Sequence, residues 1–224
     1  MNRKNLNVTL LNKNTRITAS TFGALLGMAG MLNHGIFEIL QGNTPTNGYF
    51  IEAIGEAHRY WIHGTEAAFT VIHNFLITGI CAVLLGLTVI IWSIKYIRIK
   101  RGTTVFLLLL ILLTLVGGGI GYILVFVPTW AFATRIKKSL NWWKKVLSVR
   151  LRKLLAALWT YFLLATVIAW LILMEMGIFG YFPGIKDPDT ILNVVFGFLF
   201  ASAVLVCFTY ICAYAKDIEE QNHN

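Results

Sequence analysis

The sequence predicts an all-α, polytopic transmembrane helical bundle of about six membrane segments, the third and fourth of them short. Three observations carry this. Of 224 residues, 57% are hydrophobic and only 13% charged, whereas soluble domains carry about 25% charged and 45–50% apolar residues. The apolar residues fall in long runs. The Lys and Arg residues fall in short blocks between those runs. A mean hydropathy of +0.71 excludes a disordered, collagen-like or typical soluble catalytic chain, and the length suits a single integral membrane domain over residues 1–224.

The first apolar run, 17–41, follows a basic stretch and superficially fits a signal peptide. It is too long for a signal core, contains His34 and Glu38 and lacks a cleavage site at its far end, so it reads as a retained first span. About 20 apolar residues cross a hydrocarbon core roughly 30 Å thick. The runs 67–94, 154–177 and 190–214 meet that length as well, and lipid requires all of them to be helical.

The run Thr103–Thr134 needs a separate argument. As one helix it would extend about 48 Å, too long for one upright crossing. Gly117-Gly118-Gly119-Ile120-Gly121 interrupts it, and Pro128 follows; glycines disfavour a continuous helix and permit a tight reversal. Charge decides for the reversal. With a hairpin of arms 103–117 and 120–134, the basic blocks Arg3–Arg16, Lys95–Arg101 and Arg135–Lys153 share one side. Of the 19 Lys and Arg, only Arg59 and Lys186 then lie opposite. Cytoplasmic loops are the ones enriched in these residues, so both termini are expected in the cytoplasm and the protein in the plasma or inner cell membrane.

Two connections look structured. Ile136, Leu140, Trp143, Leu147, Leu151 and Leu154 recur at helical spacing with Lys137, Lys138, Lys144 and Lys145 off that face. An interfacial amphipathic helix over about 136–153, drawn to anionic lipids by those four lysines, is the expected result. A calmodulin-target helix would show the same pattern. In the outer loop, 42–65, a turn-rich start precedes Glu52, Glu56, Arg59 and His63, whose spacing places them on one face of a short helix. Solvated ion pairs are the plain reading of that face.

The net charge of +9 does not point to nucleic acid, because the basic residues border apolar runs and no nucleic-acid module is present. Cys81, Cys207 and Cys212 lie inside apolar stretches and read as small buried hydrophobes. No phosphate loop, nucleophile elbow or dinucleotide fingerprint occurs.

Ionisable residues inside spans are costly and point to function. His34 and Glu38, four apart, share a face of the first span, which Gln41 continues. Glu66, Thr70 and His73 form a similar stripe at the outer end of the second, with Asn74 beside it. On an antiparallel helix pair, His34, Glu38, Glu66 and His73 would gather into an outward-facing polar pocket. It could bind or translocate a small ligand, metal ion or proton. Two His and two Glu also suit a divalent metal, and with it a metal-dependent membrane enzyme. His34 and His73 at similar depth suit axial haem ligation. The alternative is a non-catalytic scaffold or auxiliary subunit, in which these groups only bond helix to helix. Gly23 and Gly27, with Ala19, Ala24 and Gly30, equip the first span for close packing within the chain or between copies.

The run Asn33-His34-Gly35-Ile36-Phe37-Glu38-Ile39-Leu40-Gln41-Gly42-Asn43, with Gly117-Gly118-Gly119-Ile120-Gly121, resembles uncharacterised bacterial multi-pass membrane proteins over about residues 17–136. The resemblance carries no activity. It implies that His34 and Glu38 do more than pack.

Overall fold

The computed structural model describes residues 11–223, so the first ten residues, which hold Arg3 and Lys4 of the first basic block, lie outside the described part. Helix α1 (Lys13–Ala29) passes through a π-helical turn (Gly30–Gly35) into α2 (Ile36–Leu40). Strands β1 (Phe50–Glu52) and β2 (Ala67–Phe69) form a small antiparallel pair, Ile51 opposite Ala68. Then come α3 (Phe75–Ile91), continued by a π turn to Tyr96, α4 (Gly102–Leu115), α5 (Ile123–Ala133), α6 (Asn141–Val146), α7 (Val149–Phe179) and α8 (Pro188–His223). Four helices, Lys13–Leu40, Phe75–Tyr96, Val149–Phe179 and Pro188–Asn222, are long and apolar enough to cross a membrane, and α4 and α5 are shorter apolar helices. The protein is a membrane-embedded helical bundle.

Its helices begin and end where local chemistry dictates. Asn74 caps α3 by accepting from Ile77 N at 3.1 Å, and Ser148 caps α7 by accepting from Leu151 N at 3.3 Å. Such caps satisfy backbone donors that the first helical turn leaves free. At its far end α7 stops at Gly180, which adopts a left-handed φ of +60°.

The bundle has two chemically different ends. At the loop end, Trp61 Nε1 donates to Gly177 O at 3.1 Å and His63 lies 2.7 Å from Asp189. At the basic end, Asn12 N donates to Ile136 O at 2.9 Å, Arg152 pairs with Glu219, and Lys144 Nζ donates to Asn222 at 2.7 Å. Leu11, Arg98, Ile99 and Lys137 line one cleft there. The start of α4 and the end of α5 therefore lie together, so the chain reverses at the glycines. Of the described Lys and Arg, only Arg59 and Lys186 are at the loop end.

The basic end also holds a buried anchor. Asp217 of α8 accepts from Asn14 N (2.8 Å), Asn14 Nδ2 (3.0 Å), Thr15 N (2.9 Å) and Thr15 Oγ1 (2.5 Å). A carboxylate at a helix N-terminus satisfies free donors and complements the helix dipole.

Phe22, Leu26, Ala29, Phe106, Val125, Trp170 and Tyr210 belong to the main core. Helices α1 and α3 meet through glycines. A Cβ on Gly86 would lie 2.6 Å from Gly27 O, and one on Gly79 would lie 2.6 Å from Gly35 O. Gly23 abuts Ser93 and Phe106, and Gly30 abuts Leu113. These three small residues of the first span, at positions 23, 27 and 30, thus pack inside the chain.

Three expectations are corrected. Residues 67–74 do not extend the second span as a helix: Ala67–Phe69 is a strand, Thr70 bridges to Val116, and α3 starts only after Asn74. The outer loop carries β1 and a single helical turn, Glu56–His58, rather than one helix, although Arg59 does pair with Glu52 at 2.8 Å. Residues 136–153 are not one interfacial helix, because Leu147 is extended and Ser148 caps a new helix. Leu140 packs against Tyr214 and Ile218 of α8, while Lys137, Lys138, Lys144 and Lys145 remain exposed.

Candidate functional site

The π turn of the first span places Asn33 and His34 toward the bundle axis, at 0% and 1% exposure, and Glu38 follows at 0%. A π turn widens the helix by one residue and is frequent at functional sites.

The glycine loop closes over both residues. Gly117 and Gly119 have φ of +98° and +93°. A Cβ on Gly119 would lie 2.5 Å from His34 Nε2, and one on Gly117 would collide with the Glu38 carboxylate. The loop's close approach to these two polar groups explains why the run is glycine-rich. Tyr122, just after it, meets the His34 ring edge-on at 5.5 Å and the Trp170 ring at 5.3 Å.

Glu66 enters from the other side. It stands directly before β2 with an unusual φ of +47°, its carbonyl accepting from Ala53 N at 2.9 Å. Its carboxylate lies 3.7 Å from His34 Nε2 and against Gly177 of α7. Backbone bonds fix the lobe above the glycine loop: Gly117 N donates to Phe69 O (2.9 Å), Ile120 N to Ala67 O (3.3 Å) and Val71 N to Leu115 O (2.9 Å).

The centre is polar yet poorly satisfied. Asn33 Nδ2 donates to Met174 O at 3.3 Å. Asn33 Oδ1, both nitrogens of His34, both oxygens of Glu38 and Trp170 Nε1 are buried without a hydrogen-bond partner. Each such group costs about 1–3 kcal/mol when left unmet, and charged groups more, so natural proteins seldom keep several together.

His34, Glu38 and Glu66 thus share one centre, and His73 does not. It is exposed, its ring 4.9 Å from that of Tyr49. The supporting residues bind the loop instead. Gln41 Nε2 donates to Glu52 O and Ala53 O (3.0 and 2.8 Å), Thr70 Oγ1 lies 2.6 Å from Thr78 Oγ1, and Asn74 Nδ2 donates to Asn43 Oδ1 at 2.7 Å. Because residues 67–73 are strand and bend, the four-residue metal set and the two-histidine haem pair do not form. Among the described residues, no three His, Cys, Asp or Glu are grouped so as to hold a metal ion. The sequence pattern does not single out Asn33, Tyr122 or Trp170 for the site. Asn33 adjoins His34, which is the one detectable signal among them.

Burial pushes the Glu66 carboxyl from its ordinary 4.5 up to about 7, while the Asn33 amide pulls it down. His34 and Tyr122 are the titratable groups facing it. An acid whose pKa is raised by folding keeps its proton in the folded state where the unfolded chain has released it. The contribution of Glu66 to stability is therefore fully present below about pH 4.5 and is lost as pH rises through about 7. The contribution lost is roughly 3 kcal/mol. Glu66→Gln is expected to flatten this decline in thermal unfolding scans from pH 4.5 to 7.5. Identical slopes for both proteins would refute it.

Comparison with protein-family models, curated proteins and solved structures gives no match.

Proposed function

We propose that this chain is a six-segment protein of the cell membrane, both termini cytoplasmic, that takes a proton or small polar ligand from its loop end into the His34–Glu38–Glu66 centre. One observation carries the reading: six buried polar atoms of Asn33, His34, Glu38 and Trp170 lack partners around that centre. A bound water or polar ligand would supply the partners they lack, and a proton would neutralise the Glu38 carboxylate. Glu66 keeps 24% of its side-chain surface exposed, so it links the loop end to His34. On the other side, Phe22, Leu26 and Ala29 belong to the apolar core, which favours entry from the loop end. The basic end faces the cytoplasm by the Lys/Arg rule.

The proton is the first ligand to test. Purified protein is reconstituted into vesicles that enclose a pH-sensitive dye, and a potassium diffusion potential drives uptake. Wild type is expected to acidify the lumen faster than protein-free vesicles. Glu38→Gln and His34→Ala are expected to lose at least tenfold in rate while staying monodisperse and helical. Uptake by both variants at the wild-type rate would sink the proposal. Wild-type vesicles no faster than empty ones, with variants that merely unfold earlier, would support a scaffold in which the centre only packs.

A further inference from the structure

At the basic end, Ala131, Phe132, Arg135, Trp142, Trp143 and Tyr214 line an open cavity of about 420 Å³. We propose that it is a specific binding site for one anionic phospholipid, with the phosphate on the Arg135 guanidinium and an acyl chain passing along the α5 surface at Ala131 and Phe132. This cavity is separate from the His34 centre and does not depend on it.

Charge is the first support. Three acidic residues are described at this end, and the chain's own groups occupy all of them. Asp217 binds Asn14 and Thr15, Glu219 pairs with Arg152, and Glu220 accepts from Asn14 Nδ2 at 2.9 Å. Among the described residues, Arg135 makes no ion pair and its guanidinium no hydrogen bond, although its carbonyl accepts from Asn12 Nδ2 at 2.6 Å. An exposed guanidinium with no anion of its own, among exposed lysines, is complementary to a phosphate, which Arg can grip with two donors.

The aromatic wall is the second. Trp143 stands 5.3 Å from Tyr214, Trp142 meets Trp143 edge-on at 4.8 Å, and Phe132 stacks on Tyr210 at 5.2 Å. Tyr214 is fixed by a 2.6 Å bond to Phe132 O. This frame is preformed, so a ligand meets little ordering cost on entry. Aromatic side chains with one wet edge suit the headgroup level of a bilayer, and α5, an apolar helix, leads from that level into the hydrocarbon. A free phosphate would use Arg135 alone, whereas a phospholipid uses the charge, the aromatic wall and the apolar exit together.

Tryptophan fluorescence tests this directly. Detergent-solubilised full-length protein is titrated with phosphatidylglycerol brominated on its acyl chains, and with brominated phosphatidylcholine for comparison. Saturable quenching is expected with the anionic lipid. Affinity should fall about tenfold in Arg135→Gln and stay unchanged in Lys100→Gln. Replacing Trp142 and Trp143 with Phe should remove the saturable part while keeping aromatic walls. Excess inorganic phosphate should not compete. Equal quenching by the two lipids, equal affinity in the two charge variants, or displacement by inorganic phosphate would each overturn the proposal.

Discussion

Gly117→Ala is expected to destabilise the protein by roughly 2–4 kcal/mol, read from thermal or denaturant unfolding in detergent. Two costs combine. The backbone there has φ of +98°, which an L-residue with a Cβ adopts only at about 1–2 kcal/mol. The new methyl would also meet the Glu38 carboxylate, which is fully buried and cannot swing into solvent. Gly42→Ala separates the two costs. Gly42 has φ of +75°, but a methyl added there would find nothing within 4 Å, so only the backbone cost of about 1–2 kcal/mol applies. Equal losses at the two positions would show that the glycine loop does not press on Glu38.

Asp217→Ala is the second large effect, at roughly 3 kcal/mol. It strips the acceptors from two backbone N–H groups and two side chains at the start of α1. Asn14 and Thr15 are buried there, so water cannot readily replace the carboxylate. Asp217→Asn keeps one oxygen acceptor and should lose about half as much. Unfolding curves of the two variants decide it, and an alanine variant as stable as wild type would mean that α1 is held by its apolar face alone.

Four long apolar helices were legible in outline, though not in their ends, because membrane crossing is a matter of length and apolarity, and those are properties of local composition. The reversal at Gly117–Gly121 was legible too, from glycine spacing and the placement of Lys and Arg. What pressed those glycines against His34 and Glu38 was not, since close approach is a property of two distant segments.

The misplaced stripe of Glu66, Thr70 and His73 has the same cause. Their spacing fits a helix, but backbone bonds from Gly117 and Ile120 to Phe69 and Ala67 hold the segment extended. Tertiary pairing overrode local pattern. Glu66 reached the site through the strand register and His73 did not. By contrast, Asn74 and Ser148 carried readable capping signals, and Ser148 in particular could have divided the apparent amphipathic stretch of 136–153.

The pairing of β2 with the glycine loop also orders the assembly of the protein in time. Residues 42–74 leave the ribosome before residues 115–120, yet their outer edge is completed only by that later segment. The first two spans can be inserted while their lobe is unfinished, with Glu66 not yet seated. The centre is therefore complete only once the α4–α5 hairpin is in place. A chain arrested before that hairpin would present an unpaired strand edge of the kind that quality-control machinery and aggregation both exploit.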